Sequence, residues 1–362
     1  MGRTTADRAT GATAEVTLVD CDIHQHWESD SEIVEYLPPR YEHYGVNLPT
    51  LLYTNPGGVM REDAVPEGGG APGTTPENVR EHVIDRYDVD YGVLTGQCIS
   101  VSLLPNRDYA SELARAYNEW LVDYWLEDDD RFLGSVLVAP QDPDRAAGMI
   151  REYGTDPRFV QVVMNSASPR PYGQPFYRPI FEAAADVGLP VALHPHADGH
   201  GTSNPPTGAG YPSSYFEWHN VLPANMMGQV NSLVCEGVFE QFPDLRVVCT
   251  EGGFGWLPHL VWRMDKNWKG LRSQAPWLDR PPSEYVFEQV RLTTQPIEEP
   301  PRPEYLRQLF EMIRAEETLM FATDFPHWDG DSPEHSLPPI NEETRSRILA
   351  GNACDLYDLP ES

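Results

Sequence analysis

The sequence predicts an α/β chain folded as a distorted (β/α)8 TIM barrel with long insertions after strands 1 and 5. Three observations predict it: eight short apolar runs, amphipathic stretches between several of them, and chemistry-bearing polar residues where the runs end. The runs are Val16–Asp22, Tyr91–Thr95, Phe132–Ala139, Val160–Met164, Pro190–His194, Arg246–Thr250, Val290–Thr294 and Leu319–Thr323. Apolar residues recur at helical spacing over Tyr109–Leu126, Asp144–Tyr153, Phe176–Val187, Val221–Phe239, Trp256–Trp268 and Pro303–Glu316. A doubly wound sheet is the competing architecture, but no Gly-rich phosphate fingerprint follows any run.

Residues 1–14 read as a disordered N-terminal segment and 15–362 as a single domain, a length that barrels reach once insertions are counted. Two stretches break the repeat. Trp27 to about Thr75 is rich in Pro, Gly and Tyr, and Ala197 to Tyr215 contains Asp198-Gly199-His200-Gly201 and Asn204-Pro205-Pro206. Loops this long inside a compact domain are lids or disordered, and both leave strand ends where a lid would cover substrate.

Composition excludes several classes. A net charge of -30 repels nucleic acid and anionic membrane surfaces. No apolar run approaches a membrane span and no leader-type apolar region is present, so a cytoplasmic protein is expected. Five widely spaced cysteines in mostly apolar runs suit reduced packing residues rather than a disulfide framework. Lys266 and Lys269 are the only lysines, and so acidic a surface is suited to a high-salt cytoplasm, which makes a halophilic source the expectation.

The first run ends in Asp22-Ile23-His24-Gln25-His26. In an extended chain residues two apart share a face, so Asp22, His24 and His26 project together. The fifth run ends in His194, the sixth in Glu251-Gly252-Gly253, and the eighth in Asp324. Such residues at one rim of a barrel converge. Three imidazoles and a carboxylate suit one divalent ion, Zn2+ first, with Mn2+ or Fe2+ able to use the same set.

With Thr323-Asp324-Phe325-Pro326-His327 and Ile348-Leu349-Ala350-Gly351-Asn352-Ala353, these motifs resemble the amidohydrolase-related family that includes aminocarboxymuconate semialdehyde decarboxylase. The resemblance spans about Val16 to Tyr357. It implies a distorted barrel with a single divalent metal held by His24, His26, His194 and Asp324, and it implies a dimer. Binuclear relatives use a carboxylated lysine after strand four, where this chain has Met164-Asn165-Ser166. The family's decarboxylases place a histidine after strand six, whereas this chain has Glu251. That glutamate is open to three roles: metal ligand, general base, or anchor for a liganding histidine. His219 is the candidate to supply the missing imidazole.

The expected activity is hydrolysis, with Asp324 holding and deprotonating a water and Glu251 assisting on a small organic substrate. The alternative is nonoxidative decarboxylation of an aromatic or unsaturated acid, and a third reading is an inactive binding barrel. Trp27, His196, Trp218 and His327 are the expected substrate contacts, because they lie beside the strand ends.

Overall fold

The computed structural model describes residues 17–49 and 53–360; the expected disordered segment 1–14 and the start of the first run lie outside them. Eight parallel strands follow chain order around one sheet. They are β1 (Val19–Ile23), β2 (Tyr91–Leu94), β3 (Phe132–Leu137), β4 (Phe159–Asn165), β5 (Val191–His194), β6 (Val247–Cys249), β7 (Val290–Thr293) and β8 (Leu319–Met320). The last strand returns to the first through Cys21 N–H to Phe321 O at 3.0 Å and His24 N–H to Phe325 O at 2.7 Å. The sheet thereby closes into a (β/α)8 barrel, as the eight apolar runs predict.

Each strand is apolar because both its faces are covered, one by the barrel interior and one by helices. Val162, Val163, Val191, Ala192, Val247, Val248 and Leu319 are all fully buried. The helices present their apolar stripes to the same core. Arg107–Trp120, capped by the Asn106 side chain, buries Leu113, Ala114, Tyr117 and Trp120. Among the described residues no helix is long and apolar enough to cross a membrane.

The insertion after β1 is a cover rather than a free loop. Arg61 N–H donates to Pro326 O at 2.8 Å, Trp328 N–H to Val59 O at 3.0 Å, and His26 N–H to Gly73 O at 2.8 Å. Gly73 has φ +75°, and a Cβ there would sit 2.8 Å from the His24 carbonyl, so only glycine lets the insertion return this close to the first strand. The insertion after β5 lies against residues 98–103, with Thr202 N–H donating to Leu103 O at 2.9 Å.

Candidate metal centre

Strand pleat sets the first two residues: Asp22 and His24 alternate with Ile23, so both enter the barrel mouth, and both are fully buried. His24 Nδ1–H donates to the Gly96 carbonyl at 2.9 Å, which leaves Nε2 with its lone pair toward the centre. His194 repeats the device, its Nδ1–H donating to Pro195 O at 2.5 Å. The strand ends then meet. His24 Nε2 lies 3.0 Å from Asp324 Oδ1 and 3.4 Å from Asp22 Oδ1, while His194 Nε2 lies 3.2 Å from Asp22 Oδ2 and 3.4 Å from Glu251 Oε2.

Two overlapping sets of donors result, Asp22, His24, His194 and Glu251 in one, and His24, Glu251, Asp324 and His327 in the other, each within 4.8 Å of one another. Imidazole nitrogens this close to carboxylate oxygens need a proton or a cation between them. The buried His24 Nε2 and Asp324 Oδ2 have no hydrogen-bond partner. These orphaned atoms, and the tautomers fixed by backbone carbonyls, fit a divalent cation.

The electrostatics are those of a charge-dense, dry site. Burial alone would raise the Asp22 carboxyl, but the charges of His24 and His194 outweigh it and hold the group below the usual carboxylate range. Burial likewise opposes protonation of His24, and Asp22 and Asp324 reverse that and raise it. Glu251 is pushed well above the usual range by burial and then by the Asp324 charge. Asp324 is lowered: burial is overcome by His327, whose Nδ1 lies 2.7 Å from Asp324 Oδ1, and by His24.

Both carboxylates at the ends of β6 and β8 hold left-handed backbone, Glu251 at φ 50° and Asp324 at φ 58°. Such conformations cost a non-glycine residue on the order of 1–2 kcal/mol and persist only where neighbours impose them. Here the neighbours are visible. Thr293 Oγ1 accepts from Glu251 N–H at 3.0 Å, and the Glu298 carboxylate accepts from Phe254 and Gly255 N–H at 3.2 and 2.8 Å. On the other side, the backbone amide of Asp324 donates to Asp22 O at 3.1 Å.

His26 belongs to neither donor set. The strand ends at Ile23, so the two-residue alternation does not carry on to position 26; its Nδ1–H donates to Trp27 O at 2.6 Å. Asp22, rather than His26, stands beside His24 and His194 in the donor set. A small cavity of about 70 Å³ adjoins the centre, lined by His194, His196, Trp218, His219, Glu251 and His327 with Val59, Met60, Gln97, Tyr215 and Asp329. Five expected substrate or catalytic residues therefore share one space: His196, Trp218, His219, Glu251 and His327. Trp27 is not among the lining residues; it is buried against Trp120 with its Nε1–H on Asp30.

His219 Nε2 lies 3.4 Å from Asp329 Oδ2, a carboxylate that burial and the Asp324 charge raise. Gln97 links His196, 3.4 Å away, to His327, 3.2 Å away. Burial and the neighbouring His194 and His24 push His196 down to about 3, so it is a neutral ring. Asp329, Gln97 and Met60 escape the sequence reading. Asp329 directly follows Trp328 in the turn that begins at Asp324, and that proximity is its one signal in the sequence. Met60 comes from the cover and carries none.

A family model described as amidohydrolase matches residues 21–359. Gamma-resorcylate decarboxylase of Rhodococcus jostii is 27% identical over 313 residues, covering 78% of this chain and 88% of that protein. The crystal structure of 5-carboxyvanillate decarboxylase from Sphingomonas paucimobilis superposes with a TM-score of 0.66 at 23% identity, covering 95% of this chain and 100% of that one. A dihydroxybenzoic acid decarboxylase from a Polaromonas species, solved with manganese and the inhibitor 2-nitroresorcinol, gives a TM-score of 0.65 at 19% identity, covering 95% of this chain and 98% of that one.

Proposed function

This chain belongs to the amidohydrolase family, and on that premise we propose that it is a metal-dependent, nonoxidative decarboxylase of an aromatic carboxylic acid. The observation that carries the reading is the juxtaposition of a buried two-histidine, three-carboxylate centre with a cavity walled by Trp218 and Tyr215. Kinship favours decarboxylation over the hydrolysis expected from sequence, since the relatives compared above are named for loss of a carboxyl group from hydroxylated benzoates.

Asp22, His24, His194 and Asp324 would hold the ion. The sequence expectation of Zn2+ rests on three imidazoles; with Asp22 in place of His26 the set is richer in oxygen, which suits Mn2+. A divalent ion bound there supplies positive charge that orients the substrate carboxylate and an adjacent ring oxygen.

The chain's own residues supply the rest. Trp218 and Tyr215 offer flat apolar surface to an aromatic ring, and the Gln97, His196 and His327 chain offers hydrogen bonds to ring oxygens. Decarboxylation breaks the bond between ring and carboxyl, leaves the electron pair on the ring carbon and requires one proton there. Glu251 both lines the cavity and touches the centre, so it is the group that delivers that proton. His219, braced by Asp329, lines the same cavity.

The test is to load the protein with Mn2+ and offer 2,6-dihydroxybenzoate and 5-carboxyvanillate in D2O. Release of CO2 with one deuterium entering the ring per turnover is expected. Absence of CO2 from such ortho-hydroxylated acids, together with hydrolysis of an amide or lactone, would overturn the reading.

A further inference from the structure

Which aromatic acids the site admits depends on the charges that face its cavity. The wall carries the carboxyl groups of Glu251 and Asp329 and the imidazoles of His194, His196, His219 and His327; among the described residues no arginine or lysine lines it. Three of the four rings already face a carboxyl group. His194 lies 3.4 Å from Glu251, His219 3.4 Å from Asp329 and His327 2.7 Å from Asp324. His196 meets the Gln97 amide oxygen at 3.4 Å instead.

Arg61 follows Met60, a lining residue, yet it does not add a cation to this wall. Its guanidinium donates to the Asp63 carboxylate, from Nε at 2.9 Å and from Nη2 at 2.6 Å, and it lines a larger neighbouring cleft. Asp329 is therefore a carboxyl group on a wall whose positive charge is already matched.

On the decarboxylase reading above, we propose that Asp329 sets the charge of the substrate: the site admits aromatic acids with one carboxylate and turns away those with two. A divalent ion held by Asp22, His24, His194 and Asp324 is the cation for the first carboxylate. A second carboxylate, drawn out of water onto this wall, meets Asp329 and finds no unmatched cation, and an unpaired buried charge is among the costliest groups to bind. Neutral substituents escape that penalty. Hydroxyl and ether oxygens can use the Gln97, His196 and His327 chain, and Val59, Met60 and Trp218 accept apolar groups. Of the two acids offered above, 2,6-dihydroxybenzoate should be decarboxylated at least ~100-fold more efficiently than 5-carboxyvanillate, which carries a second carboxylate.

A binding measurement separates charge selection from turnover. 3-Nitrobenzoate and isophthalate match in shape, differ by one charge and lack the ring hydroxyl of the substrates. Calorimetric titration of the manganese-loaded wild type is expected to show isophthalate bound at least ~100-fold more weakly. Asp329→Asn, with metal content and far-ultraviolet circular dichroism unchanged, should narrow that gap at least ~10-fold by tightening isophthalate alone. Equal binding of the two acids, binding of neither, or a gap that Asp329→Asn leaves as it was would overturn the proposal, even where 2,6-dihydroxybenzoate releases CO2. The expected gap without CO2 release would overturn the decarboxylase reading and leave charge selection standing.

Discussion

Asp20 accepts two hydrogen bonds from Thr323, one from its amide at 3.0 Å and one from its hydroxyl at 2.5 Å, so a buried carboxylate joins the first strand to the turn that carries Asp324. The Asp22 amide donates to the same carboxylate at 3.2 Å. Two of the proposed metal holders thus hang on one side chain. Asp20→Ala leaves those donors unsatisfied in the core and should cost about 2–4 kcal/mol of stability. A urea midpoint equal to that of the wild type would show that the link is slack.

Metal content follows from the donor sets. The wild type should bind one divalent ion per chain, and His194→Ala should bind it at least ~10-fold more weakly. Chelation should lower the melting temperature: losing an ion held at a thousandfold its dissociation constant removes ~4 kcal/mol, or roughly 5 °C for a chain of this size. Elemental analysis and thermal melts before and after chelation decide it.

Glu251→Gln separates the proton donor from the metal holders. If Glu251 only delivers the proton, the variant retains its ion while the rate of CO2 release falls by ~10²–10⁴. Loss of the ion in the same variant would move Glu251 into the metal's coordination.

A pH dependence of stability follows from Asp198, whose carboxyl burial raises to about 6 despite hydrogen bonds from Asn225 and Ser166. Because the folded value lies above the unfolded one, the folded chain binds the proton more tightly. Stability attributable to this group is full below about pH 4 and is lost as pH rises through 6. Asp198→Asn should flatten that slope in urea titrations between about pH 4 and 7; an unchanged slope would assign it to other groups.

The excess of carboxylates, 56 Asp and Glu against 26 Lys and Arg, sets an expectation for salt. Self-repulsion weakens as the screening length falls from ~10 Å at 0.1 M to ~3 Å at 1 M. The melting temperature should climb from about 0.1 M KCl into the molar range. A flat response would argue against the halophilic reading.

The barrel is legible because its signal is periodic. All eight runs form strands, and each expected helical stretch holds helix, since covered strands and amphipathic helices write their burial into residue order. The centre is half legible. His24, His194, Glu251 and Asp324 can be found because they end apolar runs, but the choice between Asp22 and His26 depends on where the first strand stops. That is fixed by pairing with β2 at Ile23 and Leu94 rather than by the residues themselves. Gln97 and Met60 lie at the cavity through long-range packing, and neither residue type advertises chemistry.

The left-handed backbone at Glu251 and Asp324 bears on how this protein would respond to selection for robustness. Glycine fits both positions without steric conflict and would also empty the barrel mouth of like-charged neighbours. A search that rewards heat resistance alone would therefore drift toward Glu251→Gly and silence the enzyme as it hardened the fold, whereas Asp324→Gly would also forfeit the stability that a bound ion confers.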